Sequence, residues 1–81
     1  MEGVGAGMDI QLWATINYVW RDGYVVTVSA VPDQPVSAKV IVETATAKTA
    51  KGAERARDAL LAEVGQRVRA RGDRIVDVVE G

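Results

Sequence analysis

From Ile10 to Trp20 the chain alternates, with Ile10, Leu12, Ala14, Ile16, Tyr18 and Trp20 on one parity and Gln11, Thr15 and Asn17 on the other. A period of two marks a strand with one buried face. Arg21-Asp22-Gly23 follows, and a second strand then alternates Tyr24, Val26, Val28 and Ala30 with Val25, Thr27, Ser29 and Val31. The pair predicts a hairpin. A two-residue Asp22-Gly23 loop would set Tyr18 opposite Thr27 and Ile16 opposite Ser29, bringing polar residues into the apolar face. A three-residue loop with a left-handed Gly23 at a bulge pairs Trp20 with Tyr24, Tyr18 with Val26, Ile16 with Val28 and Ala14 with Ala30. That register keeps the face apolar and is the one expected.

Val31-Pro32-Asp33-Gln34-Pro35 interrupts the sheet, because proline has no amide donor and restricts its predecessor. A third strand is expected from about Val36 to Thr44, with Ala38, Val40 and Val42 facing the core and Lys39, Ile41 and Glu43 facing out. The period then changes: Ala53, Ala56, Leu60, Leu61, Val64 and Val68 form one stripe of a helix from about Thr49 to Arg71. Thr49 is the expected N-cap and Gly72 the stop. Gly52 and Gly65 each weaken such a helix by about 1 kcal/mol relative to alanine. Arg74-Ile75-Val76-Asp77-Val78-Val79 alternates again and predicts a fourth strand. A right-handed crossover through the helix sets it parallel to the first strand and beside it, giving the spatial order 3-2-1-4. The expected fold is α+β, with connectivity β-β-β-α-β. It has two layers: an antiparallel three-stranded meander extended by the fourth strand, and one helix.

A length of 81 residues allows a single domain near the size at which a hydrophobic core alone contributes only a few kcal/mol, so self-association would help it. We expect a flexible tail over residues 1–8, where glycine recurs at Gly3, Gly5 and Gly7, and one α+β domain over residues 9–81. These glycines precede a strand instead of joining a strand to a helix, which is the wrong context for a phosphate loop. The N-terminus lacks the basic start and apolar run of a secretory signal, and no later stretch is apolar enough to span a bilayer. Without cysteine there is neither a disulfide framework nor a thiolate metal site, so the cytoplasm is the expected location.

Histidine is also absent, which removes the commonest general base along with the thiolate nucleophile. Ser29 and Ser37, the only serines, sit in no nucleophile-elbow context. Glu54 and Asp58 are one helical turn apart but interleaved with Arg55 and Arg57, the pattern of a surface ion-pair ladder. No catalytic residue, cofactor site or metal site is assigned, and the protein is expected not to be an enzyme.

Two surfaces could take a partner. Arg67, Arg69, Arg71 and Arg74 gather at the end of the helix, where the helix dipole also favours cations, and they define an alternative nucleic-acid contact. A formal net charge of -1 disfavours that reading, because domains holding phosphate backbones are usually strongly basic. The stronger candidate is the side of the sheet that one helix cannot cover. There the expected register leaves Trp13, Val19, Val25 and Val31, joined by Ile41, with Trp13 beside Val31. Five large apolar residues on an uncovered face point to an interface, since tryptophan is enriched among interface hot spots.

The chain resembles the HicB family of antitoxins between about Ile10 and Val79. Asp22-Gly23-Tyr24-Val25-Val26 is similar to that family's acidic-Gly-Tyr-x-Val start, and Pro32-Asp33-Gln34-Pro35 to its Pro-Asp-x-Pro segment. The chain departs from the pattern at Val36, where the family usually has glycine, and in a longer spacing from Tyr24 to Pro32. The resemblance implies a partial RNase H-like core of the same element order, oligomeric and masking a toxin, without the operator-binding segment that would follow Val79. The expectation is thus a protein partner and self-association through an exposed sheet face or edge.

Overall fold

The computed structural model describes residues 7–32 and 40–80. Within them run β1 (Asp9–Val19), β2 (Gly23–Pro32), β3 (Ile41–Ala47), α1 (Ala50–Ala70) and β4 (Arg74–Glu80). The strands form one mixed sheet in the order β3-β2-β1-β4, with β4 parallel to β1 and the other pairs antiparallel. This is the predicted α+β architecture and strand order. The N-terminal residues 1–6, to which most of the expected tail belongs, and residues 33–39, which include Ser37, Ala38 and Lys39, lie outside the described residues. Met8 is tied into the fold: its amide donates to Asp73 Oδ1 at 2.9 Å and its carbonyl accepts from the Arg74 amide at 2.9 Å.

The hairpin register differs from the expected one by two residues. Val19 faces Gly23, Tyr18 faces Tyr24, Ile16 faces Val26, Ala14 faces Val28 and Leu12 faces Ala30. The loop is Trp20-Arg21-Asp22, closed by the Asp22 amide donating to the Val19 carbonyl at 3.1 Å, with Arg21 left-handed at φ 74°. A non-glycine residue in that conformation costs about 1–2 kcal/mol. The register offsets part of this by setting the rings of Tyr18 and Tyr24 edge to face, 5.3 Å apart, a contact contributing about 0.5–1.5 kcal/mol. Parity survives a shift of two, so the face toward α1 stays apolar. Gly23, left-handed at φ 90°, pairs with Val19, and a Cβ on it would lie 2.5 Å from the Ala47 carbonyl oxygen of β3.

The third strand departs more. It begins at Ile41 and reaches Ala47, and its orientation is reversed: Ile41 pairs with Ala30, Glu43 with Val28, Ala45 with Val26 and Ala47 with Tyr24. Ile41, Glu43, Ala45 and Ala47 therefore lie on the helix side, and Val42 lies on the other side, 54% exposed. Reading Glu43 as outward-facing assumed that a carboxylate must point to water. Arg67 on α1 supplies it with a charged partner above the edge of the sheet, which removes that assumption.

α1 begins and ends as its sequence requires. Thr49 is the N-cap, its hydroxyl accepting from the Gly52 amide at 3.0 Å. At the other end Gly72, at φ 88°, donates to the Arg69 carbonyl at 2.9 Å and Asp73 to the Val68 carbonyl at 3.2 Å, the paired bonds of a Schellman stop. Ala53, Val64 and Val68 of the predicted stripe are buried, while Ala56, Leu60 and Leu61 are half-buried. Gly65 is buried too, because the helix lies close to the sheet there: a Cβ on it would meet Ile75 Cδ1 at 3.3 Å. Ile10, Leu12, Ala14, Val26, Val28 and Ala30 complete the core from the sheet. Each fully buried valine, leucine or isoleucine contributes about 1.5–3 kcal/mol.

Candidate functional site

The register maps the uncovered face row by row. Across the first row Val79, Trp13, Ser29 and Val42 follow from β4 to β3; across the next Thr15, Thr27 and Thr44; and across the third Asn17, Val25 and Thr46. Val31 stands opposite Gln11, diagonal to Trp13, so the expected direct pairing of Trp13 with Val31 is replaced by Trp13 with Ser29. The two-residue shift is the cause. Val19, 37% exposed, closes the hairpin end of the face, opposite Gly23 and diagonal to Val25.

Four of the five expected interface residues, Trp13, Val19, Val25 and Val31, are thus on this face. Ile41 is not: it lies on the helix side and packs against the core. Val42 takes its place, and Val79 joins from β4. Periodicity alone could not assign Val79, because β4 carries an irregularity where Ile10 pairs with Ile75 but Gln11 pairs with Asp77, which switches the parity of its second half. At this shift the Asp77 carboxylate accepts from the Val78 amide at 2.9 Å.

The face holds two apolar groups, Trp13 with Val31, Val42 and Val79, and Val19 with Val25, separated by the threonine row. Trp13 is 44% exposed, and its indole N–H donates to Gln11 Oε1 at 3.2 Å on the same strand and face. No described element lies over it. At the hairpin end Tyr18, on the helix side of the sheet, is 63% exposed, and Trp20, in the loop, is 75% exposed. No aromatic ring belongs to the buried core.

The arginines meet at the far end of α1, each in its own setting. Arg67 pairs with Glu43 and, at 3.8 Å, with Glu63; Arg71 with Asp73 at 2.9 Å; Arg74 with Asp9 at 2.7 Å. Arg69 is exposed. An open groove of about 420 Å³ runs along Val40, Ile41, Val42, Arg67 and Arg71. Three of the four guanidinium groups thus already face carboxylates, and the local charge is largely balanced.

Along α1, Arg57 bridges Asp58 and Glu80, each at 3.4 Å, a surface ladder that reaches β4. Among the described residues no three acidic side chains come together as metal ligands, and no helix is long and apolar enough to cross a membrane. No family model, curated protein or solved structure matches the chain.

Proposed function

We propose that this protein is a non-enzymatic, cytoplasmic interaction module that self-associates and that engages a protein partner through an exposed sheet face or edge, the uncovered face around Trp13 being the favoured surface for the partner. The observation that carries this reading is the position of Trp13: the largest side chain of the inner strand β1 stands half-exposed between Val79 and Ser29, with no described element above it. Tryptophan at the centre of a patch of valines, rimmed by threonine and glutamine, has the composition of an interface core with a polar rim. The resemblance to HicB antitoxins gives the partner its most specific form, a small ribonuclease toxin that the module masks.

Trp13→Ser is the test. It is expected to abolish capture of the partner in a tagged pull-down from the native host while leaving the far-ultraviolet circular dichroism unchanged. Partner capture equal to wild type would remove Trp13 from the interface. Running the pull-down with and without nuclease separates the alternative nucleic-acid reading at Arg67, Arg69, Arg71 and Arg74, which requires nuclease-sensitive capture and a steep loss of affinity with salt.

A further inference from the structure

The two edges of the sheet are built differently. β4, on one side, carries Arg74, Asp77 and Glu80 and has a register irregularity, the charges and kinks by which proteins keep strand edges from pairing. β3, on the other, runs seven residues as Ile-Val-Glu-Thr-Ala-Thr-Ala, with no lysine, arginine, proline or irregular register, and among the described residues only β2 pairs with it. Its one charge, Glu43, is on the helix side and held by Arg67. A regular edge of this length, whose one carboxylate is turned to the helix side and paired with Arg67, is a template for another strand.

We infer that β3 pairs antiparallel with β3 of a second copy of this chain, across a two-fold axis at Thr44, making one continuous eight-stranded sheet. The inference rests on the interaction-module reading and specifies where the self-association occurs. A two-fold axis perpendicular to the sheet keeps both helices on one side, and such an axis must pass through a residue paired with itself. At Glu43 it would oppose two carboxylates, which is destabilising. At Thr44 it places Glu43 opposite Ala45, Val42 opposite Thr46 and Ile41 opposite Ala47, so no like charges meet.

That same register joins the threonine rows of the two copies. Thr15, Thr27 and Thr44 of one continue into Thr44, Thr27 and Thr15 of the other, and threonine pairs of this kind stabilise neighbouring strands. The geometry leaves room for the helices. Strands about 4.8 Å apart put the two β2 strands roughly 14 Å from each other, more than the 8–10 Å that packed helices need. The two open faces then merge, with both copies of Trp13 on one side of the assembly.

Sedimentation of the full chain across a concentration series tests this, with Thr44→Lys, Thr44→Glu and Trp13→Ser beside wild type. Wild type is expected to dimerise reversibly. Thr44→Lys and Thr44→Glu each place like charges across the axis and should weaken the dimer by about tenfold or more, whereas an equimolar mixture of the two should restore it as a heterodimer. Thr44 is exposed, so both variants should keep the wild-type circular dichroism. Amide exchange of wild type supplies a second readout, with β3 amides more protected at high concentration than at low. A wild-type monomer at every concentration, undiminished dimerisation of Thr44→Lys, or concentration-independent exchange in β3 would overturn edge pairing. So would loss of the dimer in Trp13→Ser, which would move self-association to the open face. The partner pull-down is read separately, so either reading can fail while the other stands.

Discussion

On β1, Leu12 and Trp13 are neighbours in sequence and opposites in role. Leu12 is 3% exposed under α1, in a layer of small and branched side chains: Ala14, Ala30, Val28 and Val64. Trp13, on the other face, is 44% exposed among Val79, Ser29 and Val42. The difference follows from how close the helix sits. Gly65 lets α1 approach the sheet so nearly that the covered face has room only for aliphatic residues, and the bulky rings are displaced to the open face and the hairpin end. One face is therefore filled by the fold itself, while the other keeps its largest apolar side chain available to another molecule.

The largest expected effect is at Leu12. Leu12→Ala removes buried methyl groups beneath Val64 and should cost about 2–5 kcal/mol, lowering the melting midpoint by more than about 10 °C. Trp13→Ser, measured beside it at low protein concentration, should cost less than Leu12→Ala, because nearly half of the Trp13 surface is already in water in the folded chain. Thermal unfolding followed by circular dichroism compares the two. Equal destabilisation would mean that the open face is covered within a single chain, and the contrast between the faces would collapse.

A smaller effect separates the two left-handed glycines. Gly23 and Gly72 have nearly the same φ, 90° and 88°, but a Cβ on Gly23 would press against the Ala47 carbonyl at 2.5 Å, whereas one on Gly72 would meet nothing within 4 Å. Gly72→Ala should cost about 1–2 kcal/mol, the conformational penalty alone. Gly23→Ala adds the collision with β3, for a total of about 2–4 kcal/mol. Urea titrations of both variants check the ranking. If Gly72→Ala proves the costlier change, the close packing of the hairpin end against β3 is wrong.

Element types and helix limits were legible because they rest on periodicity or on a cap that one residue supplies, such as Thr49 or Gly72, and the strand order with its parallel β4 because a right-handed crossover through the helix leaves one placement. The hairpin register was legible only to within two residues. Apolar parity cannot distinguish Ile16 opposite Val28 from Ile16 opposite Val26, and the turn that decides between them uses Arg21, a residue type with no preference for the left-handed region. The face of β3 was misread for a different reason. Ile41 and Glu43 share a face because Arg67, 24 residues further along the chain, satisfies the carboxylate from above, and no local pattern contains that pairing. For the candidate surface this meant that Trp13, Val19, Val25 and Val31 could be placed from β1 and β2 alone, while Val42 and Val79 required the reversed β3 and the irregular β4.

Gly65 offers the finest test of why the covered face excludes large groups. Replacing it with alanine raises helix propensity by about 1 kcal/mol, yet the new methyl group would sit 3.3 Å from Ile75 Cδ1, tighter than ordinary contact. Leu12 Cδ1 at 3.8 Å is not strained by it. In the wild-type background the two terms oppose each other, and Gly65→Ala should change stability by less than about 1 kcal/mol. Ile75→Val removes the Cδ1 atom and itself costs about 0.5–1.5 kcal/mol. In that background Gly65→Ala should recover the full helix-propensity gain, so the two substitutions couple by about 0.5 kcal/mol or more in a double-mutant cycle. Strict additivity would show that α1 can lift off the sheet at no cost. The close approach at Gly65 would then no longer explain why the rings lie outside the core.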